Sequence, residues 1–95
     1  MKVRIKFIGM FELFPDCGGE KEIQADFLGS TIKDLLHHLC LEVEPRHKEF
    51  FLNGQEEISP MMFVRINGNP IEYSKRSHAK LRDDDFVELI FATGG

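Results

Sequence analysis

The sequence predicts a two-layer α+β domain, a mixed sheet of four or five strands with one main helix packed on one face. Three observations carry this. The opening segment alternates Val3, Ile5 and Phe7 with Lys2, Arg4 and Lys6. The closing segment alternates Val87, Leu89 and Phe91 with Phe86, Glu88 and Ile90. Both have the period of two that marks a half-buried strand. Between them, Ile32, Leu35, Leu36 and Leu39 fall at i, i+3, i+4, i+7, a single apolar helix stripe. One apolar helix face laid on one apolar sheet face buries both. The 95 residues suffice for one such core, read as a single domain over 1–95.

The elements follow in order. After the first strand, Gly9 to Gly19 reads as a loop with Pro15, Asp16 and paired glycines, its Met10, Phe11, Leu13 and Phe14 folding back on the domain. Glu20 to Phe27 is a second strand with Ile23 and Ala25 on one face. Ser30 or Thr31 caps a helix to about Leu41, and Thr31 with Asp34 resembles a capping box. His37 and His38 are adjacent, so a helix cannot aim both at one ligand; they read as a solvated face rather than a metal site. Residues 42–61 are the least legible. Pro45 suits the first turn of a short helix, Phe50-Phe51-Leu52 must cover something apolar, and Asn53-Gly54 signals a turn. Met62 to Ile66 is a third strand, Asn67-Gly68-Asn69-Pro70 a tight turn and Ile71 to Tyr73 a short return strand. Ser74 to Lys80 is polar and irregular, and Leu81 to Asp85 is an acidic turn that launches the last strand. The first and last strands are expected to lie centrally. The expected core is Val3, Ile5, Phe7, Ile32, Leu35, Leu36, Leu39, Val64, Ile66, Val87 and Leu89.

Composition narrows the function classes. The net charge of −4 with no basic block argues against nucleic-acid binding. No apolar run approaches membrane-spanning length, and the charged start lacks a signal-peptide core. The chain is therefore read as cytoplasmic, with no membrane partner. Cys17 and Cys40 are too far apart for a C-x-x-C pair and are read as a loop thiol and a reduced core thiol. No nucleophile–base pair, phosphate loop or metal cluster is legible, and Asp83-Asp84-Asp85 reads as a solvated turn, because consecutive turn side chains seldom converge. No bound cofactor and no metal are expected.

The chemistry sits after the last strand, in Ala92-Thr93-Gly94-Gly95. Gly94 and Gly95 make a tail thin enough to thread a narrow channel, and Ala92 and Thr93 complete a small-residue tether, so residues 92–95 are expected to be flexible. A terminal carboxyl ordinarily titrates at about pH 3.3–3.7 and is anionic at neutral pH. It can attack the α-phosphate of ATP to give an acyl-adenylate. From Phe91 to Gly95 the extended chain reaches at most about 17 Å, at roughly 3.3–3.6 Å per residue. With glycine at roughly 7% of residues, two terminal glycines arise by chance about once in 200 chains. The diglycine therefore carries weight only together with the fold.

These pieces resemble the ubiquitin-like β-grasp sulfur carriers, the MoaD/ThiS-like family. The resemblance runs over nearly the whole chain: Val3-Arg4-Ile5-Lys6-Phe7, the helix Thr31 to Leu36 after an acidic second strand, Val64-Arg65-Ile66-Asn67-Gly68, Leu81 to Val87, and Gly94-Gly95. Where the family usually has Asp-Gly-Asp before the last strand, Asp84 replaces the glycine; Asp tolerates left-handed backbone better than most residues. The resemblance implies a carrier cycle. A ubiquitin-activating-type adenylating enzyme, using ATP, would adenylate Gly95, a sulfur donor would make the thiocarboxylate, and an acceptor enzyme would take the sulfur. The long 42–61 stretch favours the molybdopterin synthase small subunit, with that enzyme's large subunit as acceptor. A thiamine-pathway sulfur carrier, a ubiquitin-like modifier joined through Gly95 to lysines, and a plain β-grasp interaction module are the other readings left open.

The resemblance also places a docking surface. In a β-grasp sheet the last strand lies between the first and third. Phe63, Phe86 and Ile90 would then share the outward face, rimmed by Arg4, Lys6, Arg65 and Glu88, at the root formed by Phe91, Ala92 and Thr93. An apolar centre with a polar rim is how interaction sites are built. The competing expectations are that Phe50-Phe51-Leu52 covers this face, or that these residues are merely scattered.

Overall fold

A computed structural model describes residues 1–92. Five strands form one mixed sheet: β1 Lys2–Ile8, β2 Lys21–Asp26, β3 Met62–Ile66, β4 Asn69–Pro70 and β5 Phe86–Phe91. Their order is β2-β1-β5-β3-β4. β1 and β5 run parallel, and the remaining pairs are antiparallel. One helix, α1 Ile32–Glu42, packs across one face. Short 3-10 turns span Pro15–Cys17, Pro45–Phe50 and Tyr73–His78. This is the ubiquitin-like β-grasp architecture expected from the sequence, with the first and last strands central.

α1 starts where its cap dictates. The Thr31 hydroxyl accepts from the Asp34 N–H at 3.2 Å, and Asp34 Oδ2 accepts from the Thr31 N–H at 3.1 Å and the Ser30 N–H at 2.9 Å. The reciprocal pair satisfies donors that the helix start would leave unpaired. These hydrogen bonds favour the ionised carboxylate and hold the Asp34 pKa below its usual range.

The helix stripe Ile32, Leu35, Leu36 and Leu39 meets Val3, Ile5, Phe7, Val64, Val87 and Leu89, all buried. Ile66 departs from expectation. It keeps the inward parity but is only partly buried, lying at the hairpin end of β3 beside the two-residue β4. Met10, Phe27, Phe51, Leu52, Ile58, Met62 and Leu81 join the core from loops and element ends. Phe11 does not fold back; it is more than half exposed.

The return strand is also placed differently. Asn67 and Gly68 both take positive φ, 52° and 83°, so a two-residue turn brings Asn69 opposite Ile66. The strand is Asn69–Pro70 rather than Ile71–Tyr73, and Tyr73 opens a 3-10 turn instead. The acidic run before β5 is a backbone staple. Asp83 Oδ1 accepts from the Lys2 N–H at 3.0 Å, the Asp84 N–H donates to the Lys2 carbonyl at 2.8 Å, and Asp85 accepts from the Arg82 N–H and the Asn67 amide. Asp84 sits at φ 69°, the left-handed conformation expected where a glycine is replaced.

Candidate functional site: the outer sheet face and the tail root

Strand register assembles the outer face in rows. Phe63 lies opposite Ile90, and Ile90 beside Ile8. The next row is Arg65, Glu88 and Lys6, and the third brings Phe86 beside Arg4. Phe63 is 53% exposed, and Ile90, Ile8 and Phe86 are half-buried. The polar groups are organised around them. Arg65 Nη2 donates to Glu88 Oε2 at 2.9 Å, and the Arg4 guanidinium lies 5.0 Å over the Phe86 ring while meeting Glu22 at 3.8 Å. The result is an apolar row next to the tail root, followed by a charged row and a cation–aromatic pair.

The segment 50–52 does not cover this face. Phe51 is fully buried on the inner side, 6.2 Å from Phe7. Phe50 packs edge-on against Phe91 at 5.0 Å. Phe91 faces inward with Met62 opposite, so it anchors the root rather than joining the outer row.

The root itself is fastened. The Ala92 N–H donates to the Met61 carbonyl at 2.8 Å, which extends the β5–β3 ladder by one bond. Thr93, Gly94 and Gly95 lie outside the described residues.

Two contributors to this geometry escape sequence reasoning. Gly9 has φ +77°, and a Cβ there would collide with the carbonyl oxygen of Phe91. Its lack of a side chain lets the chain leave β1 while β5 passes alongside. Arg76 is 5% exposed within a polar segment read as irregular. It donates to the carbonyls of Ser59, Met62 and Ile58 at 2.7, 2.6 and 3.1 Å and stacks on Tyr73 at 3.8 Å. Arg76 thereby holds the 58–62 strap whose Met61 carbonyl fastens Ala92. A third contributor, Ile8, is absent from the expected patch although strand parity could have found it, since it shares the outward parity of Lys2, Arg4 and Lys6.

The thiols take no part in this arrangement. Cys17 is exposed and Cys40 buried, both free, and burial pushes the Cys40 thiol pKa up, away from the reactive thiolate. Among the described residues no group of three His, Cys, Asp or Glu side chains is gathered to hold a metal ion. No helix among them is long and apolar enough to cross a membrane.

Comparison with known proteins adds three structures of like fold. The small archaeal modifier protein 1 (SAMP1) of Methanosarcina acetivorans superposes with a TM-score of 0.68 at 21% identity, over 99% of this chain and 95% of that one. The Amycolatopsis orientalis BexX/CysO complex gives a TM-score of 0.67 at 20% identity, over 98% of both chains. Urm1 of Trypanosoma brucei gives 0.65 at 20% identity, over 99% and 94%. No curated protein matches by sequence. The Urm1 family, described as ubiquitin related modifier, matches residues 2–95. With a match over almost its whole length, and a β-grasp fold to go with it, this chain belongs to the Urm1 family of ubiquitin related modifiers.

Proposed function

We propose that this protein is a sulfur carrier that works through an activated carboxyl at Gly95. The carboxylate oxygen attacks the α-phosphorus of ATP on a ubiquitin-activating-type enzyme, and pyrophosphate leaves. A donor persulfide then attacks the acyl carbon and displaces AMP. A second thiol cleaves the resulting acyl disulfide, leaving the thiocarboxylate on Gly95. An acceptor enzyme takes the sulfur. Gly94, Thr93 and Ala92 serve as the tether, and Phe63, Phe86 and Ile90, with Arg65 and Glu88, serve as the grip for both enzymes.

The observation that carries this reading is the partly exposed apolar row of Phe63, Ile90 and Ile8 beside the tail root. A carrier must be held where its tail leaves the domain, because the tether is short and the reacting atom must be aimed. The CysO neighbour is in a complex with BexX, which supports a protein partner. The finer assignment, small subunit of molybdopterin synthase with the large subunit as acceptor, rests on the sequence resemblance and the long 42–61 stretch. A second reading has its own support. The matched family is one of modifiers, and the SAMP1 neighbour is a modifier protein, so attack of a lysine amine on the same adenylate would join Gly95 to a target by an amide bond.

The full chain, incubated with the adenylating enzyme of its own cell, ATP and a persulfide donor, should exchange one carboxyl oxygen for sulfur in its intact mass. Deleting Gly95 should abolish the exchange while the melting temperature stays nearly constant, because terminal residues make few contacts. If the wild-type chain forms no adenylate, the carrier reading fails. Molybdopterin formation after adding the large subunit would support the finer assignment, and branched lysine conjugates would support the modifier reading.

A further inference from the structure

Ala92 is fastened by one carbonyl, and a single turn decides where that carbonyl points. Ser59, Pro60, Met61 and Met62 form a β-turn in which the Met62 N–H donates to the Ser59 carbonyl at 3.1 Å. No peptide bond among the described residues is cis, and a trans peptide aims its N–H and C=O in opposite directions. The Met61 carbonyl shares its peptide unit with the Met62 N–H. It therefore points away from the Ser59 carbonyl, outward to the Ala92 N–H at 2.8 Å.

Arg76 clamps this turn at both ends. Its Nη1 donates to the Ser59 carbonyl at 2.7 Å and to the Met62 carbonyl at 2.6 Å, and its Nη2 donates to the Ile58 carbonyl at 3.1 Å. The clamp is itself anchored. Ala79, which follows the Tyr73–His78 turn carrying Arg76, accepts at its carbonyl from the Ile32 N–H at the start of α1. On the other side, the Ser59 N–H donates to the carbonyl of the buried Phe51 at 3.0 Å. Three backbone carbonyls held in set directions require the rigid fork of a guanidinium; a lysine ammonium supplies the charge without the fork.

The anchor matters because the tether is short. Beyond Ala92 only Thr93, Gly94 and Gly95 remain, a reach of at most about 11 Å at roughly 3.3–3.6 Å per residue. Releasing Ala92 moves the origin of the tether back along the chain and frees its direction. A misplacement of about 1 Å at a reacting group can cost on the order of 100-fold in rate. None of the Arg76 hydrogen bonds goes to Phe63, Ile90 or Glu88, so the clamp is separate from the grip on the outer face.

We propose that Arg76 is a positioning residue for the Gly95 carboxyl: through the 59–62 turn it orients the Met61 carbonyl, which fixes Ala92 as the origin of the tail. Its effect on the reaction rests on the carrier reading, whereas its hold on Ala92 does not. Weakening Arg76 slows adenylation inside the enzyme-bound complex and leaves the affinity of the complex unchanged.

The test uses the isotopically labelled full chain and two variants. Arg76→Lys keeps the charge and loses the fork. Pro60→Gly loosens the turn at an exposed position without touching Arg76. The Ala92 amide order parameter, which reports on the folded molecule, should be near the rigid value of about 0.85 in the wild type and below about 0.6 in Arg76→Lys, with Leu89 rigid in both. With the adenylating enzyme of its own cell and ATP, kcat for pyrophosphate release should fall at least about tenfold while KM for the carrier stays within about twofold. A merely structural role would reduce the folded fraction, raising the apparent KM at constant kcat. Pro60→Gly should loosen Ala92 and lower kcat at least about threefold, and it decides the matter if Arg76→Lys fails to fold. The proposal is overturned if Ala92 is already mobile in the wild type, if it stays rigid in the folded variants, or if KM rises at constant kcat. A wild-type chain that forms no adenylate defeats the carrier reading, and the Ala92 order parameters then still decide whether Arg76 holds the root.

Discussion

The two faces of the sheet share the same three central strands and have opposite fates. On the inner face Ile5, Val87 and Leu89 have no exposed area, sealed by α1 and by Phe51. On the outer face, one residue along each strand, Phe63 stands half in water, and none of the described helices packs over it. Burial explains the inner residues fully, because each large apolar side chain removed from water contributes about 1.5–3 kcal/mol. It does not explain why Phe63, beside the half-buried Ile90 and Ile8, is left more than half exposed at the root of the tail. Alternation lets one strand hold the fold with one parity and leave the other parity open to solvent.

This contrast can be tested from the inside outward. Leu36→Ala, on the fully buried helix stripe, should cost about 2–5 kcal/mol in chemical unfolding. A change near zero would mean the two faces do not differ in kind. Gly9→Ala strikes the junction between the faces. The left-handed φ and the collision with the Phe91 carbonyl should together cost about 1–3 kcal/mol in thermal unfolding. Survival at wild-type stability would mean that the root tolerates displacement.

The α1 cap gives a smaller effect with a pH signature. The folded pKa of Asp34 is lowered, so its contribution is complete above the unfolded value of about 3.9 and fades as pH falls through the folded value. The stability gap between wild type and Asp34→Ala should be constant near neutrality and close below about pH 4. A gap that widens in acid would reverse the sign. Ile90→Glu, on the outer face, should change stability least, by under about 1 kcal/mol. It should nevertheless weaken binding to the activating and acceptor enzymes, measured by calorimetry. If it unfolds the domain, Ile90 belongs to the core and the contrast between the faces is lost.

Much of this was legible because it depends on near neighbours in sequence. The period-2 strands, the α1 stripe and the Thr31–Asp34 cap all declare themselves within a few residues. β3 runs over Met62–Ile66, as its alternation indicates. The outer row was legible once the strand order was supplied by family resemblance, since parity then decides which residues face out. What stayed hidden depends on distant backbone. The carbonyls that hold Arg76 lie 14 to 18 positions away, and no local pattern separates a buried arginine from a solvated one. Gly9 looked like any loop glycine, because its constraint comes from Phe91 at the other end of the chain. The β4 strand starts two residues and ends three residues before the position its alternation indicates, because Asn67 and Gly68 alone suffice for the turn.

The position of β5 has a consequence during synthesis. Of the five strands it is the last in chain order, yet it inserts between β1 and β3. Until residues 86–91 have emerged, β1 and β3 each have an open edge, and the pocket for Val87 and Leu89 is empty. Sheet closure is therefore a late, long-range event, of the kind that slows folding and leaves edges exposed in the meantime. Sheet closure and the fastening of the following residue are also one event. The strand that completes the sheet also carries Ala92, so a chain whose sheet has closed has Ala92 already fastened to the Met61 carbonyl.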